Sequence, residues 1–493
     1  MNFELLLSPS AFLHHMLPNV PNLNLLREYE AWWESQGKAI STAVDHAGTA
    51  WVKMFNQRGE RIDEIMMLPE YRRMLLEGYQ TGVVWRAFEE SLPASLALGY
   101  IVSHYDMGLF CPYTVSLATA ASVDKYASPS IRERYLPTLL AKNDSVWQGA
   151  TWMTEIGGGS DLGTYVGTVA TQINGDLWHL NGDKYFCSNA GAELAVVAAR
   201  PDNAPSGVRG LALFLVPRYR ADGSLNYTVR RLKDKIATRS VPTGEVELRN
   251  SEAYLLGEAQ NGIYLILEVL NVSRVCNSIG SIAVAQRAMS DAYAFARDRV
   301  AFGKLVLEQP LMRRQFENRV AALERGFALA WESVLLASET WREVGPRYSD
   351  RFHLFRIVTH LAKYWTAEFA VQTAKWAMEV NGGIGTLAEF GVERWLREAM
   401  IADIWEGPPH RQILDGMEVM ERKGAGKLLF DYLAPFAEQD ALADMKAKVE
   451  AHLALPTDEK EAGASEIFDA LAEFTAQTLL VKLRQGLTED IRA

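Results

Sequence analysis

Between residues 149 and 255 the chain carries six short β-rich runs with no helical period among them, and on both sides of that block the pattern is helical. The runs are 168–173, 177–180, 194–199, 211–216, 227–232 and 244–248. Parallel neighbours need long crossover connections, so closely spaced strands with no helices between them predict an antiparallel barrel or sandwich. Asn174-Gly175 and Asn181-Gly182 sit between runs as hairpin signals, because both residue types accept the positive φ of tight turns.

The flanks set the rest of the architecture. Up to about residue 148 the chain reads as helical, with 70–90 rich in Leu, Met, Arg and Glu and a fresh helix start at Ser91-Leu92-Pro93. Pro112, Pro129 and Pro137 punctuate that region, and Trp32, Trp33, Trp51 and Trp85 read as packing residues. Beyond Gly262, Ile282, Ala285, Met289, Tyr293, Ala296 and Val300 recur at helical steps, and Phe316, Val320, Leu323, Phe327, Trp331 and Val334 repeat the stripe. Long amphipathic helices in series predict a bundle reaching about Met420. The expected class is α+β: a helical domain over 1–148, a β-barrel over 149–258, a four-helix bundle over 259–423 and an extra acidic helical segment over 424–493.

Charge and cysteine usage exclude several functions. The balance of 61 acidic against 50 basic side chains does not attract phosphate backbones, so general nucleic-acid binding is not expected. Cys111, Cys187 and Cys276 form no C-x-x-C pair, which argues against a disulfide framework or a zinc site and for a reducing compartment. The start, M-N-F-E-L-L-L-S-P, lacks the basic region of a secretory signal. The greasiest stretch, 92–123, is interrupted by His104, Asp106 and Pro112, so no membrane span is expected and a cytoplasmic location is.

The candidate chemistry begins at residues 151–189, T-W-M-T-E-I-G-G-G-S-D followed by N-G-D-K-Y-F-C-S-N. Gly157 to Gly159, with Ser160 and Asp161, form a backbone cradle for a bound group. Strand alternation puts Phe186 and Ser188 on one face and Tyr185 and Cys187 on the other. Such a site suits a flat cofactor carrying phosphates, although a surface loop with an ordinary hairpin fits the spacing equally well. A Rossmann site is disfavoured, because Leu162 occupies the third glycine position and no strand–helix–strand unit follows. Gly383, Gly385 and Ala388 repeat the dinucleotide spacing after a helix-like run, where a strand would be required.

Three further stretches carry ionisable groups. Arg299-Val-Ala-Phe302-Gly303 reads locally as a helix C-terminus stopped by glycine. Arg274 fits either a site residue or a bundle-surface ion pair. Glu406 follows an apolar run and Trp405; it is either a solvated helix-end residue or a partly buried base whose pKa desolvation raises. No metal-binding, nucleophile-elbow or phosphate-loop motif is present, and no metal is expected.

Taken together, M-T-E-x-x-G-G-S-D, G-x-K-x-F-x-S-N, R-x-x-F-G and I-W-E-G, in this order, resemble the acyl-CoA dehydrogenase family. G-L-F-C-P-Y-T, R-L-K-D-K and E-V-N-G-G-I-G are similar to its AidB-like branch. The resemblance implies FAD bound by Met153, Thr154, Gly159, Ser160, Phe186 and Ser188, with Trp405 and Gly407 beside the flavin. Arg299 and Phe302 would come from a neighbouring subunit, and Glu379, Gly382 and Gly383 would line the adenine-diphosphate end. Glu379 replaces the usual glutamine there, and Pro408 the usual threonine after Glu406-Gly407. Glu406 would remove the α-proton of an acyl-CoA thioester, with Arg274 near the substrate. The implied partners are an electron acceptor such as an electron-transfer flavoprotein and further copies of the chain, as a homodimer or homotetramer. The branch admits a second reading, a stress-response flavoprotein that binds DNA with little dehydrogenase turnover. The segment from residue 424 has seven basic against thirteen acidic side chains, which weakens it.

Overall fold

The computed structural model describes residues 2–490, so Arg492, counted in the charge of the last segment, lies outside them. The first part is mostly helical but contains a hairpin that the helical reading missed, β1 (Trp51–Phe55) with β2 (Arg61–Met66). Val52 and Ile65 pack it against the barrel core, and buried Asp63 accepts from Val229 N at 2.8 Å. Trp51 is 58% exposed and does not pack as expected, because it lies on the outer side of this hairpin.

Two helices fill the centre of this part, α1 (Leu92–Tyr105) and α2 (Met107–Tyr126). Ser91 caps the first by accepting from Ala94 N at 3.2 Å, and Asp106 caps the second by accepting from Leu109 N at 2.9 Å. Both are buried nearly all round, as helices apolar on every face must be. Pro112 lies inside α2 and does not end it.

The sheet comprises β3 (Gly149–Trp152), β4 (Val169–Asn174), β5 (Leu177–Ser188), β6 (Leu194–Pro201), β7 (Ala212–Pro217), β8 (Thr228–Leu232) and β9 (Thr243–Leu256). Pairings β6–β4, β4–β5, β5–β9, β9–β7 and β7–β6 close a ring, with β3 added on β6 and β8 on β9. The barrel is antiparallel except that β3 and β4 run parallel to β6. Asn174-Gly175 makes the β4–β5 turn, with Gly175 at φ +45°. Asn181-Gly182 makes no turn: it lies inside β5 at a register shift against β9. A Cβ on residue 182 would sit 2.2 Å from Thr168 Oγ1, so glycine there serves a close strand approach. Along β6 the alternation divides two cores: Ala195, Val197 and Ala199 face the barrel interior, while Leu194, Val196 and Ala198 meet α2 and the following helix.

That helix is α3 (Gly262–Asp298); with α4 (Pro310–Thr340), α5 (Asp350–Asn381) and α6 (Val392–Ile404) it forms the bundle. Every member of the Phe316 to Val334 stripe is buried, whereas Val300, read as the last member of the first stripe, is 60% exposed beyond the helix end. One membrane-length apolar helix does occur among the described residues, Ala259–Asp298, but 78% of its most apolar window is buried in the protein. After α7 (Pro409–Lys423) come α8 (Ala425–Leu433), α9 (Gln439–Leu453) and α10 (Ala464–Asp490), and α10 packs on α4 and α5.

Candidate active site

Glu406 lies in the sharp link between α6 and α7. Its φ is +58° and that of Gly407 is +99°, and Pro408-Pro409 then starts α7. A non-glycine residue in the left-handed region carries roughly 1–2 kcal/mol of strain, so its surroundings must hold it. They hold the main chain. The Glu406 carbonyl accepts from Arg274 Nε at 3.1 Å and from Gln412 Nε2 at 2.9 Å, and Gln412 Nε2 also reaches the Gly407 carbonyl at 2.9 Å.

Each gripping side chain is itself fixed. Arg274, on α3, is 4% exposed and pairs with Asp415 at 3.2 Å, so it is neither solvated nor on the bundle surface. The Gln412 Oε1 sits 2.9 Å from His360 Nδ1; burial pushes His360 down to about 3, so its neutral ring donates through Nδ1 and orients the glutamine.

No hydrogen bond to the Glu406 carboxylate is found among the described residues, so it is held in place without being neutralised. Burial raises its pKa to about 7 against the opposing pull of Arg274 and Lys363. Lys363, pushed down to about 8 by burial, donates to the Asp403 carbonyl at 2.6 Å. Trp405 is half-buried, and its Nε1 has no partner among the described residues.

The barrel brings a second group of residues to this point. Beyond β3, buried Glu155 pairs with fully buried Lys184 of β5 at 2.7 Å and accepts from Thr168 N, Thr168 Oγ1 and Gly167 N. Lys184 Nζ also donates to the Met153 carbonyl at 3.3 Å, and Tyr185 N donates to the Thr154 carbonyl at 3.0 Å. Thr154 and β5 therefore lie side by side. A Cβ on Gly159 would be 2.7 Å from Thr154 Oγ1, so glycine lets the loop fold back over the threonine, leaving Gly159 and Ser160 exposed. Asp161 caps the short helix Leu162–Tyr165. Cys187 points into the barrel core, while Phe186, 55% exposed, and Ser188 lie on the outer face, as alternation required.

Helix α2 joins the two groups. The Cys111 thiol is hydrogen-bonded to Ser188, the Cys276 thiol of α3 to Thr114, and both thiols feel the charge of Glu406. Burial pushes both up to about 12, so they are neutral at physiological pH. The pattern G-L-F-C-P-Y-T gave no place to Cys111 or Thr114, and no sequence signal pointed to Gln412 or His360. Only the tertiary fold brings these residues together.

The remaining candidates lie far off in the same chain. Arg299 stands at the far end of α3, about 38 Å along the helix from Arg274 at 1.5 Å per residue. Gly303 does not stop α3, which ends at Asp298. Instead Val300–Ala301 (β10) and Lys304–Leu305 (β11) form a two-residue hairpin, and both turn residues, Phe302 and Gly303, have positive φ as such a turn demands. Phe302 is fully exposed at its tip. Glu379 is exposed and pairs with Lys375; Gly382, at φ +64°, and Gly383 have open space where side chains would be.

Comparison with known proteins gives a consistent picture. Residues 26–144 match the adaptive response protein AidB N-terminal domain, 150–251 the acyl-CoA dehydrogenase middle domain and 260–421 the acyl-CoA dehydrogenase C-terminal domain. The chain is 30% identical over 418 residues to the putative acyl-CoA dehydrogenase AidB of Escherichia coli, covering 79% of this chain and 73% of that protein. It is 28% identical over 415 residues to acyl-CoA dehydrogenase family member 11 of Caenorhabditis elegans, covering 78% of this chain but only 66% of the relative's length. Among solved structures, the apo-form of Bd2924 superposes with a TM-score of 0.86 at 27% identity, covering 98% and 96% of the two chains. Caenorhabditis elegans ACDH-11 in complex with C11-CoA also gives 0.86, at 23% identity over 96% and 86%. The Bacillus anthracis acyl-CoA dehydrogenase complexed with FAD gives 0.77, at 17% identity over 99% and 85%.

Proposed function

The chain belongs to the acyl-CoA dehydrogenase family, in its AidB-like branch, and from that premise we propose that it is a cytoplasmic FAD-dependent dehydrogenase that desaturates an acyl-CoA thioester between its α- and β-carbons. The observation that carries the reading is Glu406: a strained, clamped main chain presenting an unbonded carboxylate of pKa about 7 beside Ser188 and Cys111. A base of that pKa is ionised in an increasing fraction through neutral pH and is far stronger than a solvated carboxylate.

The chain's own residues fit the cofactor. Gly157, Gly159 and Ser160 are exposed and leave amides and a hydroxyl for phosphates, while the Gly158 amide is taken by the Glu155 carbonyl at 3.0 Å; Thr154, Phe186, Ser188 and the unpartnered Trp405 indole suit a flat, polar-edged ring. Bound there, FAD would supply the acceptor for the hydride that leaves the substrate's β-carbon. Glu406 receives the α-proton on its carboxylate, and Arg274 and Gln412 keep the main chain that carries it fixed while the charge changes. The neighbours solved with C11-CoA and with FAD support these two ligands here.

Arg299 stands about 38 Å from Arg274 along α3, with Phe302 on the hairpin beyond it, too far to serve the same protomer's cleft; in this reading they complete the site of a second copy, and the active form is a homodimer or a homotetramer. An electron-transfer flavoprotein is the proposed acceptor. The acidic final segment supports thioester chemistry over DNA binding.

The test is anaerobic. Acyl-CoA thioesters of graded length are added to the yellow protein, and at least one bleaches it. Glu406→Gln keeps the colour and loses bleaching by roughly 10²–10⁴ in rate. A variant that bleaches as fast as the parent removes Glu406 from the mechanism.

A further inference from the structure

The R-L-K-D-K stretch leaves β8 with two lysines that the proposed reaction does not use, Lys233 and Lys235. Lys233 pairs with Glu245 at 2.9 Å, so its charge is answered. Lys235 has no such partner among the described residues. Its Nζ donates instead to four neutral oxygens: the Thr238 carbonyl at 2.8 Å, Thr238 Oγ1 at 3.0 Å, the Val241 carbonyl at 3.0 Å and Thr243 Oγ1 at 3.1 Å. The link between β8 and β9 therefore wraps around this ammonium, and Thr238 holds a φ of +55° to do so.

Strand register puts the ammonium beside the proposed flavin seat. Thr243 opens β9 and lies directly opposite Ser188, the last residue of β5. Such opposed residues point to one face of the sheet, with Cβ atoms about 4.5–5.5 Å apart. Ser188 is among the residues proposed to meet the flavin ring, and the Cys111 thiol bonded to it feels the charge of Lys235 as well as that of Glu406. The acids that face Lys235 are already engaged. Asp106, at the start of α2, accepts from Ser240 Oγ at 2.5 Å and Ser41 Oγ at 2.7 Å and pairs with Arg394 of α6 at 3.2 Å. Glu398 of α6 meets the same arginine at 3.3 Å, and burial pushes it up to about 7, so part of it is uncharged at neutral pH. Lys235 is itself pushed down to about 8 by burial; it is charged at pH 7 and loses that charge above pH 8.

We propose that Lys235, a cation held by neutral oxygens one strand away from Ser188, sets the electron affinity of the bound flavin by favouring its reduced form. Hydride transfer brings two electrons and one hydrogen nucleus to the ring, while the α-proton goes to Glu406, so the reduced ring carries one negative charge. A nearby positive charge stabilises that anion more than the neutral oxidised ring. Lys235 acts through its field, across Thr243 and Ser188. The inference rests on the proposed flavin site and deepens it.

The test is the two-electron reduction potential of the flavin-loaded protein, measured electrochemically with mediator dyes and without any thioester. Lys235→Met removes the charge and the donors; Lys235→Gln removes the charge but keeps an amide donor for the link. Both variants are expected to favour the reduced ring about tenfold less than the parent at pH 7, which lowers the potential by about 30 mV. The gap should narrow towards pH 10, where the parent's lysine is losing its charge as well. Lys363 also titrates near pH 8, but it is present in all three proteins, so the gap between them isolates Lys235. Equal potentials in the parent and Lys235→Gln at pH 7, or a gap of the same size at pH 10, would overturn the proposal. A fall in Lys235→Met alone would overturn it too, because the lysine would then only brace the link. Protein that takes up no flavin overturns this inference together with the proposed function. Yellow protein that no thioester bleaches overturns the desaturation alone, and the potentials still decide the role of Lys235.

Discussion

Arg274 donates through Nε to the main-chain oxygen of Glu406 at 3.1 Å, so the cation fixes the position of the residue while its carboxylate stays unpaired. A direct ion pair would have held the carboxylate ionised and made it a poor base. Gripping the carbonyl instead keeps the cation near enough to temper the effect of burial on the carboxyl pKa without cancelling it.

A pH dependence follows. In the proposed mechanism Glu406 acts as its carboxylate, so the turnover rate is expected to rise with pH through about 7 and level off above it. Arg274→Gln removes a charge that favours the carboxylate, which moves this limb to higher pH. If the limb moves up by about one pH unit, the rate on its acid side falls roughly tenfold. A profile of kcat against pH for parent and variant measures it; an unmoved limb would mean that Arg274 does not act on Glu406.

Stability changes with pH in a definite direction. The Glu406 pKa is raised by folding, so the folded state prefers the neutral acid. The associated penalty is absent well below the ordinary carboxyl value of about 4.5 and complete above about 7. Its ceiling at pH 8 is about 3 kcal/mol, reduced by the residue's partial exposure. Glu406→Gln is therefore expected to melt higher than the parent at pH 8, with the gap closing towards pH 4. Scanning calorimetry at both pH values tests this.

The Glu155–Lys184 pair predicts a strong effect from a residue that touches neither ligand. Lys184→Met leaves a buried carboxylate without its cation and should destabilise the chain by about 3–5 kcal/mol. Adding Glu155→Gln should recover much of that loss, which a double-mutant cycle in urea measures. Flavin retention should fall in the single variant, because the pair ties the Met153-Thr154 segment to β5.

Complementation tests the shared site. Arg299→Ala and Glu406→Gln are each expected to be inactive. Dissociated, mixed in equal amounts and reassembled, they should regain about a quarter of the parent activity, because random pairing gives one sound cleft in every mixed dimer. Recovery near zero would place both residues in one protomer's cleft.

Local physics explains what the sequence made legible. Strands β4, β6, β7 and β8 begin and end within two residues of their apolar runs, because alternation and the Asn174-Gly175 turn are short-range signals. The stripe from Phe316 to Val334 is buried as its spacing requires. Asn181-Gly182 and Phe302-Gly303 depart from their local reading for a shared reason: a glycine's local signal says that the backbone must bend or approach closely, and only its partner decides which. For Gly182 that partner is Thr168; for Gly303 the deciding partner is local, the pairing of β10 with β11 on either side of it. Glu406 was legible from I-W-E-G. Gln412, His360 and Cys111 were not, because they meet from three different helices.

Helix α3 carries buried Arg274 about a third of the way along and hands over to Arg299 at its end. On the proposed shared-site reading it acts as a measuring rod between the clefts of two copies. One residue inserted between them would lengthen the rod by about 1.5 Å and swing the Phe302 hairpin through about 100°. Every cleft of the proposed assembly would lose its visiting arginine at once, so on that reading the length of this rod is far less free to drift than its sequence.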